Sequence, residues 1–165
     1  MDSKPIATIS LRPVEPVDEP FLIKLYAGTR AEEMTLVPWS EEQKNAFVLS
    51  QFKAQQQYYR KTFPNASHDV ILSDVRKVGR LYVGRLPTEI RIVDITVISP
   101  ERNRGIGTHM LKSLMTEAAT VHKPLRIYVE SFNPSMRLFE RLGFLRTEEQ
   151  GIHVLMEWSR LRSDD

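Results

Sequence analysis

A strand, a glycine turn and a helix follow one another between Glu89 and Ala119, and this run restricts the fold more than any other part of the chain. Its first ten residues, Glu89 to Ile98, are rich in Ile and Val, which is a strand composition. Ser99-Pro100 closes it, because proline removes a ladder donor and drives its neighbour out of helical space. Arg102-Asn103-Arg104-Gly105-Ile106-Gly107-Thr108 forms a short glycine loop. Beyond it Ile106, Met110, Leu111, Leu114, Met115 and Ala118 fall at helical spacing on one face. Within the strand the apolar parity flips. Ile90 and Ile92 alternate with Glu89 and Arg91, whereas Val93, Ile95 and Val97 alternate with Asp94 and Thr96. A strand changes faces only by inserting a residue, so a β-bulge is expected between Ile92 and Val93. Such a bulge splays neighbouring strands and opens a slot beside the loop.

That order has a chemical meaning. A helix start carries unpaired backbone N–H groups and the positive end of the helix dipole, so it attracts phosphate. Gly105 and Gly107 let an anion approach the amides closely, and Arg102 and Arg104 add positive charge at the mouth. No Lys-Ser or Lys-Thr follows the second glycine, which excludes the Walker loop and with it a nucleotide binder of that type. Two glycines also fall short of the three that a dinucleotide fingerprint needs.

Two motifs carry a resemblance. Arg102-x-x-Gly105-x-Gly107, preceded by Ile95-x-Val97, resembles the acyl-CoA signature of the GNAT superfamily of N-acetyltransferases. The later run from Asn133 to Phe144, N-P-S-M-R-L-F-E-R-L-G-F, is similar to that family's second signature, usually N-P-A-x-x-L-Y-E-R-L-G-F. The two motifs stand in the family's order, separated by one helix and one strand. The resemblance implies acetyl transfer from acetyl-CoA to a primary amine by direct attack in a ternary complex. Its alternative is an acyl-CoA-binding module with little or no transfer.

The composition is consistent with one ordinary globular domain spanning residues 1–165, with 1–5 and 160–165 expected to fray. Apolar residues make up 41% and charged residues 27%. A net charge of +2, with basic residues scattered, gives no footprint for nucleic acid. Without cysteine there are no disulfides, thiolate nucleophiles or zinc-thiolate sites. His68, His109, His122 and His153 show no paired ligand spacing, so no metal is expected. Met1 to Leu11 lacks the apolar core of a signal peptide, and no run approaches the ~20 apolar residues of a membrane span. The expected location is cytoplasmic; the resemblance also admits a homodimer.

In chain order, Ile6 to Val14 reads as a strand, and a helix starting near Pro16 or Asp18 carries Phe21, Leu22, Leu25 and Tyr26 and ends near Gly28. Thr29 to Trp39 reads as irregular. Ser40 with Gln43 is a capping-box pattern opening a helix to about Lys61, on which Gln55, Gln56 and Gln57 read as a solvated face. Asp69 to Leu72 and Val78 to Leu86 are strands, the second forming a hairpin with the bulged one. Leu125 to Glu130 follows the loop-first helix and should lie parallel to the bulged strand. Pro134 to Leu142 is a short helix stopped by Gly143, before a last pair, Phe144 to Glu148 and His153 to Trp158. The expected fold is an α/β (α+β layered) domain: a mixed, mostly antiparallel twisted sheet of about seven strands with helices on both faces.

The resemblance assigns the diphosphate of acetyl-CoA to the backbone from Arg102 through Asn103, Arg104, Gly105, Ile106 and Gly107 to Thr108. The pantetheine arm then pairs with Ile95, Thr96 and Val97. Asn133 reads either as a contact to that arm or as a helix cap before Pro134. Phe139 stands where the family usually has the tyrosine that protonates the leaving thiolate, and reads as packing against the thioether end. Tyr128 or Tyr82, each on a strand flanking the slot, offers a substitute hydroxyl. Some relatives carry Glu or His near position 91, where this chain has Arg91. Glu89, Asp94 and Glu130 are then the nearest carboxylates for a base acting through water, each equally readable as a surface charge. Arg80, Arg85 and Arg91 read either as a solvated face or as a reader of an acidic acceptor. Trp39, Tyr58 and Tyr59 lie where the family builds its acceptor cleft.

Overall fold

The computed structural model describes residues 7–102 and 104–160. Residues 1–6, Asn103 and 161–165 lie outside the described residues, and with them all of the expected frayed ends, 1–5 and 160–165, except Arg160. The strands are β1 (Ile9–Pro13), β2 (Ser67–Ser73), β3 (Arg76–Arg85), β4 (Ile90–Val97), β5 (Leu125–Glu130), β6 (Leu145–Gln150) and β7 (His153–Trp158). The helices are α1 (Glu19–Thr35), α2 (Glu41–Thr62), α3 (Ile106–Thr120) and α4 (Met136–Arg141). The strands form one mixed sheet in the order β1-β2-β3-β4-β5-β7-β6. Only β4 and β5 run parallel, joined through α3; every other neighbouring pair is antiparallel.

Strand alternation sorts the helices onto two faces. Leu81 and Val83 of β3 pack in one core with Met110, Leu111 and Leu114 of α3 and Phe139 of α4. Arg80, of the opposite parity, donates to Gln55 and Gln56 of α2. So α3 and α4 cover one face, and α1 and α2 the other. These two form a smaller cluster of Leu22, Tyr26, Val48 and Phe52. Asp18, fully buried at the start of α1, accepts two bonds from Arg12 at 2.9 Å and pairs with Lys77 at 2.6 Å. These contacts tie α1 to β1 and β3 and hold the Asp18 carboxyl far below its ordinary range, the Arg12 hydrogen bonds being the main cause.

Local signals set the helix ends. The Ser40 hydroxyl accepts from the Gln43 amide at 3.1 Å, and the Gln43 side chain accepts from the Ser40 amide at 3.0 Å, a closed capping box. Gly143 adopts φ +98°, and the Phe144 amide reaches back to the Phe139 carbonyl at 3.0 Å, which stops α4. Two sequence expectations are corrected. Gln55 and Gln56 are half-buried acceptors for Arg80 rather than a solvated face. And α1 continues past Gly28 to Thr35, through residues read as irregular. Packing of Leu22, Leu25 and Tyr26, with Met34 against the same cluster, outweighs the glycine's helix penalty of about 1 kcal/mol.

A methyl group at Gly28 would meet no atom within 4 Å. Gly28→Ala should therefore stabilise the protein by about 0.5–1 kcal/mol, raising the thermal midpoint by about 2–4 °C. A fall in the midpoint on calorimetry would contradict the helical, unobstructed placement of this residue.

Candidate active site

The expected bulge is present. Across the β3–β4 hairpin Tyr82 faces Asp94 and Val83 faces Ile92, which leaves Val93 without a partner. On the other side of β4 the parallel ladder holds Ile90 to Leu125, Arg91 to Arg126 and Ile92 to Ile127, and then stops. Beyond that point β4 pairs only with β3, and β5 only with β7. The two strands part, and a cleft of about 390 Å³ opens between them. Residues 93–96 of β4 and 127–130 of β5 form its walls. Asn133, Ser135 and Phe139 close it from the α4 side. Tyr26, Thr29, Arg30 and Glu33 of α1, with Gln55 and Tyr59 of α2, close it from the other. The cleft thus draws on both faces of the sheet.

The glycine loop stands past the end of β4 and is not part of the cleft lining. Gly105 caps α3 with φ +83°, a left-handed conformation that favours glycine. The amides of Ile106, Gly107 and Thr108 follow as the unpaired first turn. Ile106 is itself 5% exposed in the core, so only its backbone can serve a ligand. A Cβ at Gly107 would meet only Leu138, at 3.7 Å. Arg102 donates from Nε to the Val97 carbonyl at 3.0 Å, and Arg104 lies 3.5 Å from the buried Glu101. Asn133 is not the helix cap expected before Pro134: α4 begins at Met136, with Ser135 at its N-cap. The Asn133 side-chain carbonyl accepts from the Ser135 amide at 2.9 Å and the Ser135 hydroxyl at 2.7 Å, a turn just ahead of α4. Its side-chain nitrogen has no partner among the described residues, and the residue lines the cleft.

Charges in and around the cleft are mostly paired. Asp94 meets Arg80 at 2.6 Å and accepts from the Thr96 hydroxyl at 2.6 Å. Arg30 pairs with Glu33 at 3.1 Å. Arg85 holds Glu117 at 2.6 Å, and Arg91 holds Glu89 at 2.6 Å. Glu89 also meets Arg126 at 2.5 Å, is 6% exposed, and does not line the cleft. Each hairpin arginine is thus ion-paired within the fold, Arg80 and Arg91 with little exposure and Arg85 at the surface. Glu130 lines the cleft with no ion-pair or hydrogen-bond partner for its carboxylate among the described residues. Tyr128 lines it too, with the Arg91 guanidinium 4.9 Å from its ring centre. Tyr82 does not; it is buried between His68 and Tyr59, with ring centres 4.3 and 5.3 Å away.

The sequence model of the acetyltransferase (GNAT) family matches residues 30–144. The chain belongs to this family. No curated protein sequence matches it. Among solved structures, the PaiA N-acetyltransferase of Thermoplasma acidophilum in complex with coenzyme A superposes with a TM-score of 0.70 at 14% identity, covering 92% of this chain and 99% of that one. A ribosomal-protein alanine N-acetyltransferase of Escherichia coli gives 0.62 at 16% identity, with 92% and 94% covered. A GNAT family acetyltransferase of Elizabethkingia anophelis with acetyl-CoA bound gives 0.56 at 18%, with 92% and 97% covered. At these identities the likeness is one of fold. No helix among the described residues is long and apolar enough to cross a membrane, and no group of three or more His, Asp or Glu there could hold a metal ion.

In this GNAT acetyltransferase several cleft residues escape a reading of the sequence. Tyr26, Thr29, Arg30 and Glu33 continue at helical spacing the stripe begun by Leu22 and Leu25. That stripe was the available signal, hidden by ending α1 at Gly28. His153 lines the cleft because β7 sets it opposite Glu130, a register that no local pattern encodes. Trp39 and Tyr58 do not line it: Trp39 packs edge-on to Phe47 at 5.4 Å, and Tyr58 is exposed.

Behind the cleft, burial first and then the Arg80 charge push His68 down to about 4, and its Nε2 is buried without a hydrogen-bond partner. The unfolded chain binds this proton more readily than the folded one. Stability from His68 is thus complete above the ordinary histidine pKa of ~6.5 and is lost as pH falls towards about 4. Thermal midpoints should fall between pH 7 and pH 4.5, and His68→Phe, which keeps the stack on Tyr82, should flatten that fall. An unchanged slope in the variant would show that other groups carry it.

Proposed function

We propose that the protein transfers an acetyl group from acetyl-CoA to a primary amine by direct attack in a ternary complex. The observation that carries this reading is the gap between β4 and β5, walled from both faces of the sheet. The thioester arm can enter from the α3–α4 side and the amine from the α1–α2 side, and the two meet inside. The diphosphate would sit on the amides of Ile106, Gly107 and Thr108 beside Gly105, within a loop that includes Asn103, with Arg102 and Arg104 at its mouth. The arm would run along Ile95, Thr96 and Val97, with the free amide nitrogen of Asn133 as donor and Phe139 packed against its thioether end. A cytoplasmic site of action belongs to the same proposal, and a chain without cysteine needs no oxidising compartment.

The amine must shed a proton to attack. Of the three carboxylates, Asp94 is engaged by Arg80 and Thr96, and Glu89 lies outside the cleft under two arginines. Glu130, unpaired in the wall, is the assigned acceptor through water. The nitrogen then attacks the carbonyl carbon, and the oxygen takes up negative charge beside an unpaired amide of β4. As the C–S bond breaks, sulfur leaves with the bonding pair and takes a proton from the Tyr128 hydroxyl. Phe139 has no proton to give, which leaves Tyr128 as the cleft hydroxyl on the strand opposite β4.

The test is a thermal-shift titration with coenzyme A, together with thiol release from acetyl-CoA across a panel of amines. Stabilisation with amine-dependent thiol release is expected. Stabilisation without release would make the protein an acyl-CoA-binding module instead. Gly107→Ala, whose Cβ meets only Leu138, at 3.7 Å, should weaken coenzyme A binding about tenfold, as a loss of close approach to the amides. Tyr128→Phe should lower kcat by about 10²-fold with little change in KM for acetyl-CoA. Phe139→Tyr should not raise turnover; a rise would move the acid role back to position 139.

A further inference from the structure

Tyr128 occupies an unusual place in the sheet. It is the first residue of β5 past the last pair with β4, so no partner on β4 holds it in register. The residue is 37% exposed at the root of the gap. What meets it from β4 is Arg91, whose guanidinium lies 4.9 Å from the ring centre. Arg91 is the penultimate residue of the β4 ladder, directly paired with Arg126. Its side chain, only 19% exposed, forms an ion pair with Glu89 at 2.6 Å, and its Nε is buried without a hydrogen-bond partner. Glu89 also meets Arg126 at 2.5 Å, and Arg126 is paired in turn with Glu157 at 3.0 Å, so the chain of ion pairs fixes where the Arg91 guanidinium lies. Two buried or half-buried contacts therefore aim a fixed positive charge at the face of one cleft tyrosine. A surface arginine in search of solvent would not be held this way.

We propose that Arg91 is the positioning residue for the proton donor, fixing the Tyr128 ring at the root of the gap and stabilising the charge left on it. This rests on Tyr128 as the acid in acetyl transfer. When the C–S bond breaks, sulfur keeps the bonding pair and gains the phenolic proton, and the ring is left as phenolate. The attacking nitrogen carries one proton more than the product amide keeps, and that proton restores the phenol. A cation against the ring face favours the electron-rich phenolate over the neutral phenol, so its contribution rises as the proton leaves. The same contact costs no rearrangement, because Glu89 holds Arg91 in place throughout.

A double-mutant cycle tests this. Arg91→Met keeps the side-chain stem and removes the charge; it should lower kcat about tenfold, with KM for acetyl-CoA within about twofold. Arg91→Lys restores a cation and should recover most of the loss. In a Tyr128→Phe background, which has no hydroxyl to influence, Arg91→Met should cost less than about twofold. Equal losses in both backgrounds would overturn the proposal, as would an effect confined to KM or to thermal stability. Should Arg91→Met fail to fold, Arg91→Gln, which leaves Glu89 a hydrogen-bond partner, takes its place in the cycle. If Tyr128→Phe is itself fully active, the acid assignment and this proposal fall together. Amine-dependent thiol release by the unmodified protein would still stand as evidence of transfer.

Discussion

The parallel ladder between β4 and β5 lasts for three residue pairs, and it is the only joint between the two antiparallel halves of the sheet, β1 to β4 and β5 with β7 and β6. One extra residue, Val93, both ends that joint and turns the following side chains to the opposite face. Backbone groups on the facing edges of β4 and β5 then have no strand to bond, a state that a protein interior avoids unless water or a ligand supplies partners. A chain bearing its own amides, laid into the gap, would satisfy them as a strand would. The gap also gives the two faces of the sheet a passage to each other. A reaction between two molecules, one held by α3 and α4 and the other by α1 and α2, can take place there without either crossing the fold.

Electrostatic pairing decides what this passage can recognise. Carboxylates buried elsewhere each have a cation: Asp18 has Arg12 and Lys77, Glu101 has Arg76, Glu89 has Arg91 and Arg126. This is the arrangement that makes buried charge tolerable, since an ion stripped of water without a partner costs several kcal/mol or so. The arginines of the hairpin are paired in the same way, with Asp94, Glu117 and Glu89. Glu130 is the carboxylate in the cleft wall that lacks such a partner among the described residues, and it is therefore the one that the proposed amine would meet.

Much of this was legible in the sequence wherever the signal was local. The parity flip at Ile92 and Val93 locates the bulge because strand side chains must alternate, and no tertiary knowledge is needed to see it. Ser40 with Gln43, and Gly143 after the short helix, work through backbone bonds a few residues long, and they appear where expected. The failures lie where tertiary packing overrides such signals or where partners come from afar. Gly28 ends a helix on propensity alone, but α1 is held before it by buried Leu22, Leu25 and Tyr26 and after it by half-buried Met34, and a helix ended at Gly28 hides the cleft stripe of Thr29, Arg30 and Glu33. Glu89 reads as a free carboxylate until β5 brings Arg126 beside it, 37 residues later. Gln55 and Gln56 read as solvated because Arg80, their donor, is more than 20 residues away on another element.

Phe139 shows how a motif departure and a fold requirement can share one residue. Its ring is 2% exposed and packs edge-on against Phe144 at 5.4 Å, across the tight turn that Gly143 makes possible. The position is thus held by the core of the α3–α4 face whether or not it bears a hydroxyl, and a phenylalanine serves that packing fully. Ile127 and Val129 point into the same core, which leaves Tyr128, by strand alternation, on the α1–α2 side of the gap. Assigning the proton donor to Tyr128 therefore shifts it across the sheet, from the side where the thioester arm lies to the side where the amine arrives. Glu130, two residues on, shares that side. Proton removal from the nitrogen and proton delivery to the sulfur would then both be served from one face of β5, leaving the α3–α4 side to bind the acyl donor.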